Sequence, residues 1–247
     1  MNNNLSTQNS FTESSWKSLL KLGSIMTFVA LIGILLDVII GITSGGDLSA
    51  LPQSAVDRFT QFQDNTWLGL YNLDLLNIIN QIILIPAYLA LYAVQRNTNK
   101  GYALLALVVF LFGSAIMVAA NTALPMLELS NKYFTSTSEI QKNLYAAAGE
   151  SLLAQGAHGS PGIFPGFFIP NIANLIISVL MLKGNIFSRI NSWLGIIGSM
   201  LMLTYVILVN FVSGAETMAT AIAMPGGLLL MVWMGMFALK LIKLSRS

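Results

Sequence analysis

Two acidic residues lie inside long apolar stretches of the sequence. Asp37 stands in the stretch 20–43 and Asp74 in the stretch 67–94. In the hydrocarbon core of a membrane an ionised side chain costs at least about 2.5–3.5 kcal/mol, so such residues are functional candidates. No Lys or Arg lies deep in any apolar stretch of this sequence. We therefore expect the two acids to hold a proton, to hydrogen-bond with polar neighbours, or to bind a cation.

The two acids match in depth. At about 1.5 Å per residue, both fall roughly one turn outside the bilayer centre if their helices are antiparallel neighbours. Two close carboxylates do not both ionise easily, and proton and cation sites use that arrangement. Asp37 also shares a helix face with small residues that let another helix approach closely. These are Gly23, Ala30, Gly33 and Gly41.

Five asparagines in the outer halves of the apolar stretches extend this candidate site. They are Asn77, Asn121, Asn171, Asn174 and Asn210. Together with Asp37 and Asp74 they predict a polar pocket that opens outward above an apolar inner half. The alternative is that each Asn joins two helices by a hydrogen bond, which is worth about 0.6 kcal/mol on average in a membrane.

The residue types of enzymes and metal sites are scarce in this chain. Cys is absent, and the single histidine, His158, lies on a Gly-rich loop and is interpreted as a bystander. The sequence contains no G-x-S-x-G motif, no phosphate-binding loop and no dinucleotide fingerprint. We therefore predict no catalytic residue, no metal site and no cofactor. A hard cation bound by Asp and Asn oxygens remains open.

Composition places these residues in a membrane protein. Of the 247 residues, 55% are hydrophobic and 9% are charged. Soluble domains are about 25% charged, and so few charges do not cover a surface that faces water. A soluble domain, a disordered chain and a nucleic-acid binder are excluded, and the lipid bilayer is the expected partner. The sequence indicates no protein partner.

Six stretches reach the length of about 20 apolar residues that a membrane-spanning helix needs. They are roughly 20–43, 67–94, 102–125, 163–183, 191–213 and 219–243. The predicted fold is all-α, a bundle of six transmembrane helices. Residues 1–16 are predicted to be a disordered cytoplasmic tail, and residues 17–247 a single membrane domain.

Orientation follows from the Lys and Arg residues, which stay on the cytoplasmic side of a membrane. With the N-terminus inside, nine basic residues face the cytoplasm and three face outward. The cytoplasmic ones are Lys17, Lys21, Arg96, Lys100, Lys183, Arg189, Lys240, Lys243 and Arg246. Both termini are therefore predicted to be cytoplasmic.

Outer loops 1 and 3 are long and are predicted to contain short amphipathic helices. In loop 1, at 44–66, Val56, Phe59 and Phe62 recur at three-residue spacing. In loop 3, at 126–162, Ser136 and Glu139 fit a capping box. The apolar stripe that follows is Ile140, Leu144, Ala148 and Leu152. Such helices either lie on the membrane surface or cover a cavity.

Short motifs in the second half of the chain carry a family resemblance. They are Tyr145-Ala146-Ala147-Ala148-Gly149-Glu150, Phe187-Ser188-Arg189 followed by Trp193-Leu194-Gly195, and Gly226-Gly227-Leu228 through Trp233-Met234-Gly235. Together with the order of spans over 15–243, they resemble a bacterial six-helix membrane family, domain of unknown function 4386. Ser188 stands where members often have proline. The resemblance implies a multi-pass protein of the bacterial plasma membrane and brings no activity, cofactor or catalytic residue.

Three functions from different classes fit these observations. The leading hypothesis is an outward-facing protein that binds or transports a small molecule or cation through Asp37 and Asp74. The first alternative is a non-catalytic scaffold or accessory subunit whose polar seams serve assembly. The second is a lipid-modifying enzyme with the Asp pair as acid and base.

Overall fold

Helices make up nearly all of the described chain. The structure, a computed structural model, describes residues 2–43 and 52–246, with side chains from residue 16 onward except those of residues 42 and 216. These parts contain ten helices and no strand. The helices are α1 (Asn2–Thr43), α2 (Ala55–Asp64), α3 (Thr66–Tyr71), α4 (Leu75–Ile83), α5 (Ile85–Ala120), α6 (Ala123–Thr135), α7 (Glu139–Gly156), α8 (Phe164–Lys183), α9 (Arg189–Phe211) and α10 (Glu216–Arg246). The predicted all-α fold is confirmed.

Five helical stretches of the described residues are long and apolar enough to cross a membrane. They are Trp16–Gly41, Leu75–Thr135, Phe164–Lys183, Arg189–Phe211 and Thr217–Arg246. Four of them overlap single stretches predicted from the sequence. The fifth, Leu75–Thr135, is 61 residues long and covers two predicted spans.

That long stretch reverses its direction at Asn99, inside α5. Asn99 has extended backbone angles (φ −159°, ψ 106°) between helical neighbours. The Gln81 amide donates a hydrogen bond to the Ser114 hydroxyl at 3.1 Å, and the Tyr88 ring stacks on Phe110 with centroids 3.6 Å apart. Residues on either side of Asn99 therefore pair in antiparallel order. α4 and the first arm of α5 form one leg of a helical hairpin, and the second arm forms the other.

Close antiparallel contacts connect α1 with its two neighbours. A side chain in place of the hydrogen of Gly33 would overlap the Asn80 amide of α4. The Ser24 hydroxyl donates to the Ala238 carbonyl of α10 at 2.8 Å. α1 thus packs between the hairpin and α10, so the first and last helices are neighbours.

The remaining helices close the bundle. Gly113, in the second arm of α5, lies directly against Pro170 of α8. Gly195 of α9 lies against Ser178 of α8 and Trp233 of α10, and a side chain at Gly195 would overlap both. The hairpin therefore packs against α8, α8 against α9 and α9 against α10, and α10 returns to α1. Small residues at these positions let the backbones approach closely.

One end of the bundle has a large apolar core. We call it the termini end because it holds Trp16, the start of the described α1 side chains, and the end of α10. Its buried residues include Leu91, Ile177, Met181, Trp233, Phe237 and Leu241. Buried polar side chains also lie in this half, which the sequence predicts to be apolar; they are Gln95, Asn191 and Ser192.

At the other end, which we call the site end, α2, α3, α6 and α7 form a helical cap. Phe59 and Phe62 of α2 are buried against Met126 of α6 and Leu153 of α7. Loop 1 therefore contains the predicted amphipathic helix, and it packs against its neighbours in the cap. α6 is not foreseen in the sequence, because the predicted span ends at residue 125 and the rest of α6 falls in the predicted loop 3.

α7 begins where the sequence predicts a helix, but a different residue caps it and it packs through a different face. Its N-cap is Ser138 rather than Ser136. Its buried residues are Gly149, Leu153 and Gly156. Ile140 and Leu144, on the apolar stripe noted in the sequence, are 75% and 64% exposed in the structure. The small residues decide the packed face because they allow a close approach to α2 and to the end of α5.

Two predicted boundaries differ from the structure. The stretch 67–94 is not one helix, since α3 ends at Tyr71 and α4 begins at Leu75. Asp74 between them has left-handed backbone angles (φ 62°, ψ 22°), which interrupt a right-handed helix. The stretch 102–125 ends early because Asn121 is extended. α1 includes the predicted tail, and the division into residues 1–16 and 17–247 stays a prediction.

Candidate functional site

Asp74 occupies the break between α3 and α4. It is 8% exposed, and its backbone N–H donates to the Tyr71 carbonyl at 3.0 Å. Its carboxylate does not cap α4 and instead accepts a hydrogen bond from the Asn77 amide at 2.8 Å. Asp74 therefore lies at the start of the apolar stretch rather than inside a continuous helix. The break turns its carboxylate away from the helix axis and toward other elements.

His158 is the main partner of that carboxylate. Its Nδ1 lies 3.0 Å from one Asp74 oxygen and 3.3 Å from the other. Its Nε2 lies 2.7 Å from the Tyr205 hydroxyl of α9. The positive φ of Gly159 (78°) turns the backbone just after the histidine. The structure thus places His158 beside Asp74, with both ring nitrogens bound to polar groups of other elements.

The environment of His158 favours its charged form. Burial lowers the pKa of the imidazole, but the Tyr205 hydroxyl and the Asp74 carboxylate outweigh burial and raise the pKa well above 6.5. In the charged form both ring nitrogens donate hydrogen bonds; in the neutral form Nδ1–H donates to Asp74 and Nε2 accepts from Tyr205. The site can therefore hold or release a proton while these contacts persist.

Asp37 approaches the same site from α1. The Tyr71 hydroxyl donates to the Asp37 backbone carbonyl at 2.8 Å. Tyr71 thereby links Asp37 to Asp74, because its own carbonyl accepts a hydrogen bond from the Asp74 N–H. The carboxylates of Asp37 and Asp74 are near enough for their charges to repel each other. Hydrogen bonds of Tyr71 thus link the backbones of the two predicted acids.

Arg58 adds a positive charge from the cap. It lies on α2, is 4% exposed, and donates to the Gln61 amide oxygen at 3.4 Å. Burial lowers its pKa to about 10, and the Asp74 carboxylate opposes that change. The apolar stretches of the sequence hold no Lys or Arg deep inside them. The bases that face Asp74 come instead from the cap and from the loop that holds His158.

Of the predicted asparagines, Asn121 supports the break before Asp74. Its amide N–H donates to the Leu73 carbonyl at 2.6 Å, and its amide oxygen accepts from the Ala123 N–H at 3.0 Å. It therefore connects the end of α5 with the residue before Asp74. Its role in the structure is to position Asp74.

Asn171 and Asn174 form a separate polar pair on α8. Asn174 donates to the Asn171 oxygen at 3.4 Å and accepts from the Tyr88 hydroxyl. Asn171 donates to the Phe167 carbonyl at 2.9 Å, and the Phe167 ring meets the His158 ring edge-on. The two asparagines thus extend the polar contacts from Phe167, beside His158, into the bundle.

Asn210 bonds only to its own helix in the described contacts. Its amide donates to the Val206 carbonyl at 2.7 Å. The role predicted for all seven residues, ligand or cation binding, stays a prediction. Within residues 2–43 and 52–246, no three or more His, Cys, Asp and Glu residues are grouped to hold a metal ion.

Comparison with known proteins places the chain in a family. The family described as domain of unknown function (DUF4386) matches residues 23–236. No curated protein and no solved structure matches the chain. The match covers all the long apolar helices in part or in full, together with Asp37, Asp74 and His158. The chain, an all-α protein with several helices fit to cross a membrane, therefore belongs to the DUF4386 family.

Proposed function

We propose that this protein is a multi-pass plasma-membrane protein that binds, and through binding transports, a small molecule or cation at its outer face. The observation that carries the proposal is the Asp74 carboxylate. It is nearly buried, yet it is held by a histidine that can lose its charge and by Asn77, with Asp37 close by. Such a set of groups suits a ligand that exchanges with a proton.

The antiparallel hairpin at Asn99 supports a six-span topology. It divides the stretch Leu75–Thr135 into two legs, so that five apolar stretches supply six crossings. The cytoplasmic assignment of both termini is supported by the nine basic residues near the termini end. With that orientation the site end faces outward. The family resemblance supports a bacterial plasma membrane as the location.

An acid–base enzyme is a second candidate function. A catalytic histidine binds an acid through one ring nitrogen and the reacting hydroxyl through the other. Here His158 Nδ1 binds Asp74, and Nε2 binds Tyr205. These contacts support an acid–base role as well as that of an internal counter-ion.

Thermal unfolding of the purified protein tests the proposal. Wild type is compared with Asp37→Asn, Asp74→Asn and the control Asp64→Asn, an exposed acid at the end of α2. The Tm is followed from about pH 6 to about pH 10, a range that spans the ordinary His and Tyr values. It is also measured against a panel of inorganic salts and small amines.

We expect a stabilising compound to lose its effect in Asp74→Asn and to keep it in Asp64→Asn. Asp37→Asn should weaken the effect, because that carboxylate adds to the negative potential at the site. If both site variants match wild type in Tm, in pH dependence and in every ligand response, the binding function is rejected. That result would support the scaffold alternative, since a scaffold needs no ligand.

A further inference from the structure

One buried serine of α8 turns away from its own helix. Ser192 and Ser199 of α9, which are also buried, each donate a hydrogen bond to the carbonyl four residues earlier. Ser178 has no hydrogen-bond partner among the described residues, although it is fully buried. Its hydroxyl oxygen lies where the first side-chain carbon would be if Gly195 were another amino acid. The hydroxyl of Ser178 therefore points across to α9.

Trp233 of α10 places a second polar atom at the same point. Its indole Nε1 lies 2.6 Å from that side-chain position at Gly195, and it too is buried without a partner among the described residues. An indole N–H donates a hydrogen bond, and a hydroxyl both donates and accepts. We call the contact of α8, α9 and α10 at Ser178, Gly195 and Trp233 the Gly195 seam. It joins two unpaired polar atoms in the part of the bundle that holds the large apolar core.

Polar residues of α8 connect the Gly195 seam with the candidate site. Asn171, Asn174 and Ser178 lie within about 60° of one another around the helix, on a single face. Asn171 donates to the carbonyl of Phe167, and the Phe167 ring contacts His158. The polar face of α8 therefore begins at the candidate site and ends in the seam.

Polar residues also follow the Gly195 seam toward the termini end. Asn191 lies four residues before Gly195 on α9, which places it on the same face and about 6 Å nearer that end. It is 2% exposed, and its amide oxygen has no hydrogen-bond partner within the described part of the chain. Asn191 belongs to the first turn of α9. A row of polar groups on α8 and α9 therefore runs from the candidate site to the start of α9.

Unpaired polar atoms at this depth require a reason. A buried polar group that has lost its bonds to water and gained no partner costs free energy. Alanine in place of Ser178 and phenylalanine in place of Trp233 would avoid that cost. The Gly195 seam is closed in the structure, since a side chain at Gly195 would overlap both residues. Water or a polar solute between the helices would give these atoms the hydrogen bonds that they lack.

We propose that the Gly195 seam opens to water and forms the inner part of the path by which a small polar solute moves from the candidate site to the termini end. The inference rests on the proposed function and adds the route of the ligand. The groups of Ser178, Trp233 and Asn191 offer donors and acceptors without a charge. The path therefore suits a solute that exchanges hydrogen bonds as it passes.

Cysteine labelling tests whether water reaches the Gly195 seam. The chain contains no Cys, so each variant carries a single thiol. Ser178→Cys places the thiol in the seam. The matched controls are Ile177→Cys, at a position 1% exposed in the apolar core, and Val179→Cys, at a position 36% exposed on the outside of the bundle. Each full-length variant in nanodiscs is treated with hydroxyethyl methanethiosulfonate, and the intact mass follows the labelling.

The three neighbouring positions separate water from lipid and from general opening of the bundle. The reagent reacts with thiolates, and a thiol in apolar surroundings stays protonated. We expect Ser178→Cys to react at least about tenfold faster than either control, because water enters only at the seam. A rate that Ile177→Cys or Val179→Cys equals overturns the inference. A Tm equal to that of wild type shows that the labelling reports the native protein.

Exchange of the Trp233 indole proton gives a second test on the unaltered seam. Isotope-labelled tryptophan gives one NMR signal for each of the four indoles, and Trp233→Phe identifies the signal of Trp233. In wild type we expect this proton to exchange with heavy water much faster than the backbone amide protons of α10, although the side chain is 2% exposed. An indole proton that persists as long as those amide protons overturns the inference.

Failure of this inference and failure of the proposed function give different results. A compound that stabilises the protein through Asp74, together with a seam that stays dry, removes the path and leaves the proposed function standing. A seam that takes up water in a protein that responds to no ligand rejects the binding function instead.

Discussion

The two ends of the bundle hold their buried polar side chains in different ways. At the site end the bonds cross between elements: His158 joins Asp74 to Tyr205. At the termini end the buried polar side chains are uncharged: Thr27 and Ser192 bond to carbonyls four residues before them, and Ser24 bonds across to α10. Trp233 and Phe237 fill the space between the helices there.

This contrast separates stability that depends on pH from stability that does not. The packing of Trp233 against Phe237 at the termini end involves no titrating group, so its contribution stays constant with pH. The contacts at the site end change strength when a proton leaves His158. A protein with both kinds of end can alter its site without loosening the bundle.

The largest expected effect comes from the packed end. Phe237→Ala removes a ring that is 1% exposed and lies edge-on to Trp233, with centroids 4.8 Å apart. We expect the free energy of unfolding, measured by SDS titration, to fall by about 3–5 kcal/mol. The pH dependence of stability should stay as in wild type. A changed pH dependence would show that the two ends are not independent.

The next effect comes from the charged end and depends on pH. The pKa of His158 is raised on folding, so the stability that its proton confers is complete below about pH 6.5 and is lost as pH rises through the folded-state value. His158→Gln should lower the free energy of unfolding by about 1.5–3 kcal/mol at about pH 6. The difference from wild type should shrink at alkaline pH; a difference that grows there would contradict the ion pair.

Gly156 tests the junction between the cap and the bundle. A side chain there would overlap the Ala120 carbonyl, which is backbone and cannot move aside easily. Gly156→Ala should destabilise the protein by about 1–3 kcal/mol. Gly227→Ala is the matched control, because nothing lies within 4 Å of the added methyl. Equal Tm values for the two variants would mean that the cap does not need this close contact.

Two buried serines give the smallest effect. Ser24 bonds the Ala238 carbonyl across to α10, whereas the Ser178 hydroxyl has no partner among the described residues. Ser24→Ala should cost about 0.6 kcal/mol, the average for such bonds in membranes. Ser178→Ala should cost nothing in the same SDS titration. A greater loss in Ser178→Ala would point to a contact of that hydroxyl beyond this chain.

The helices were predictable where apolar residues run on for about 20 positions, and the site was predictable only in part. Asp37 and Asp74 stand out because a charge in an apolar stretch is rare. His158 and Arg58 do not, because their approach to Asp74 depends on how the loop and cap fold back over the bundle. One signal was available for His158. Its loop connects two helices at their outer ends, so it must lie at the same end of the bundle as Asp74.

The break at Asp74 was also out of reach, since a left-handed aspartate leaves no mark in hydrophobic periodicity. α6 was hidden for a related reason. Its apolar residues continue those of α5, and only the extended backbone at Asn121 separates them. Local conformation at single residues, rather than composition, decided both boundaries.

The chain reversal at Asn99 has a consequence for the alignment of the hairpin. One non-helical residue makes the turn, and its side chain accepts from the Tyr102 N–H at 3.1 Å to start the second leg. The turn is too short to absorb a change in its length. One inserted residue would rotate a leg by about 100° and shift it by about 1.5 Å. Gln81 and Ser114 would then lose register, and Asp74, on the same leg as Gln81, would shift against the second leg.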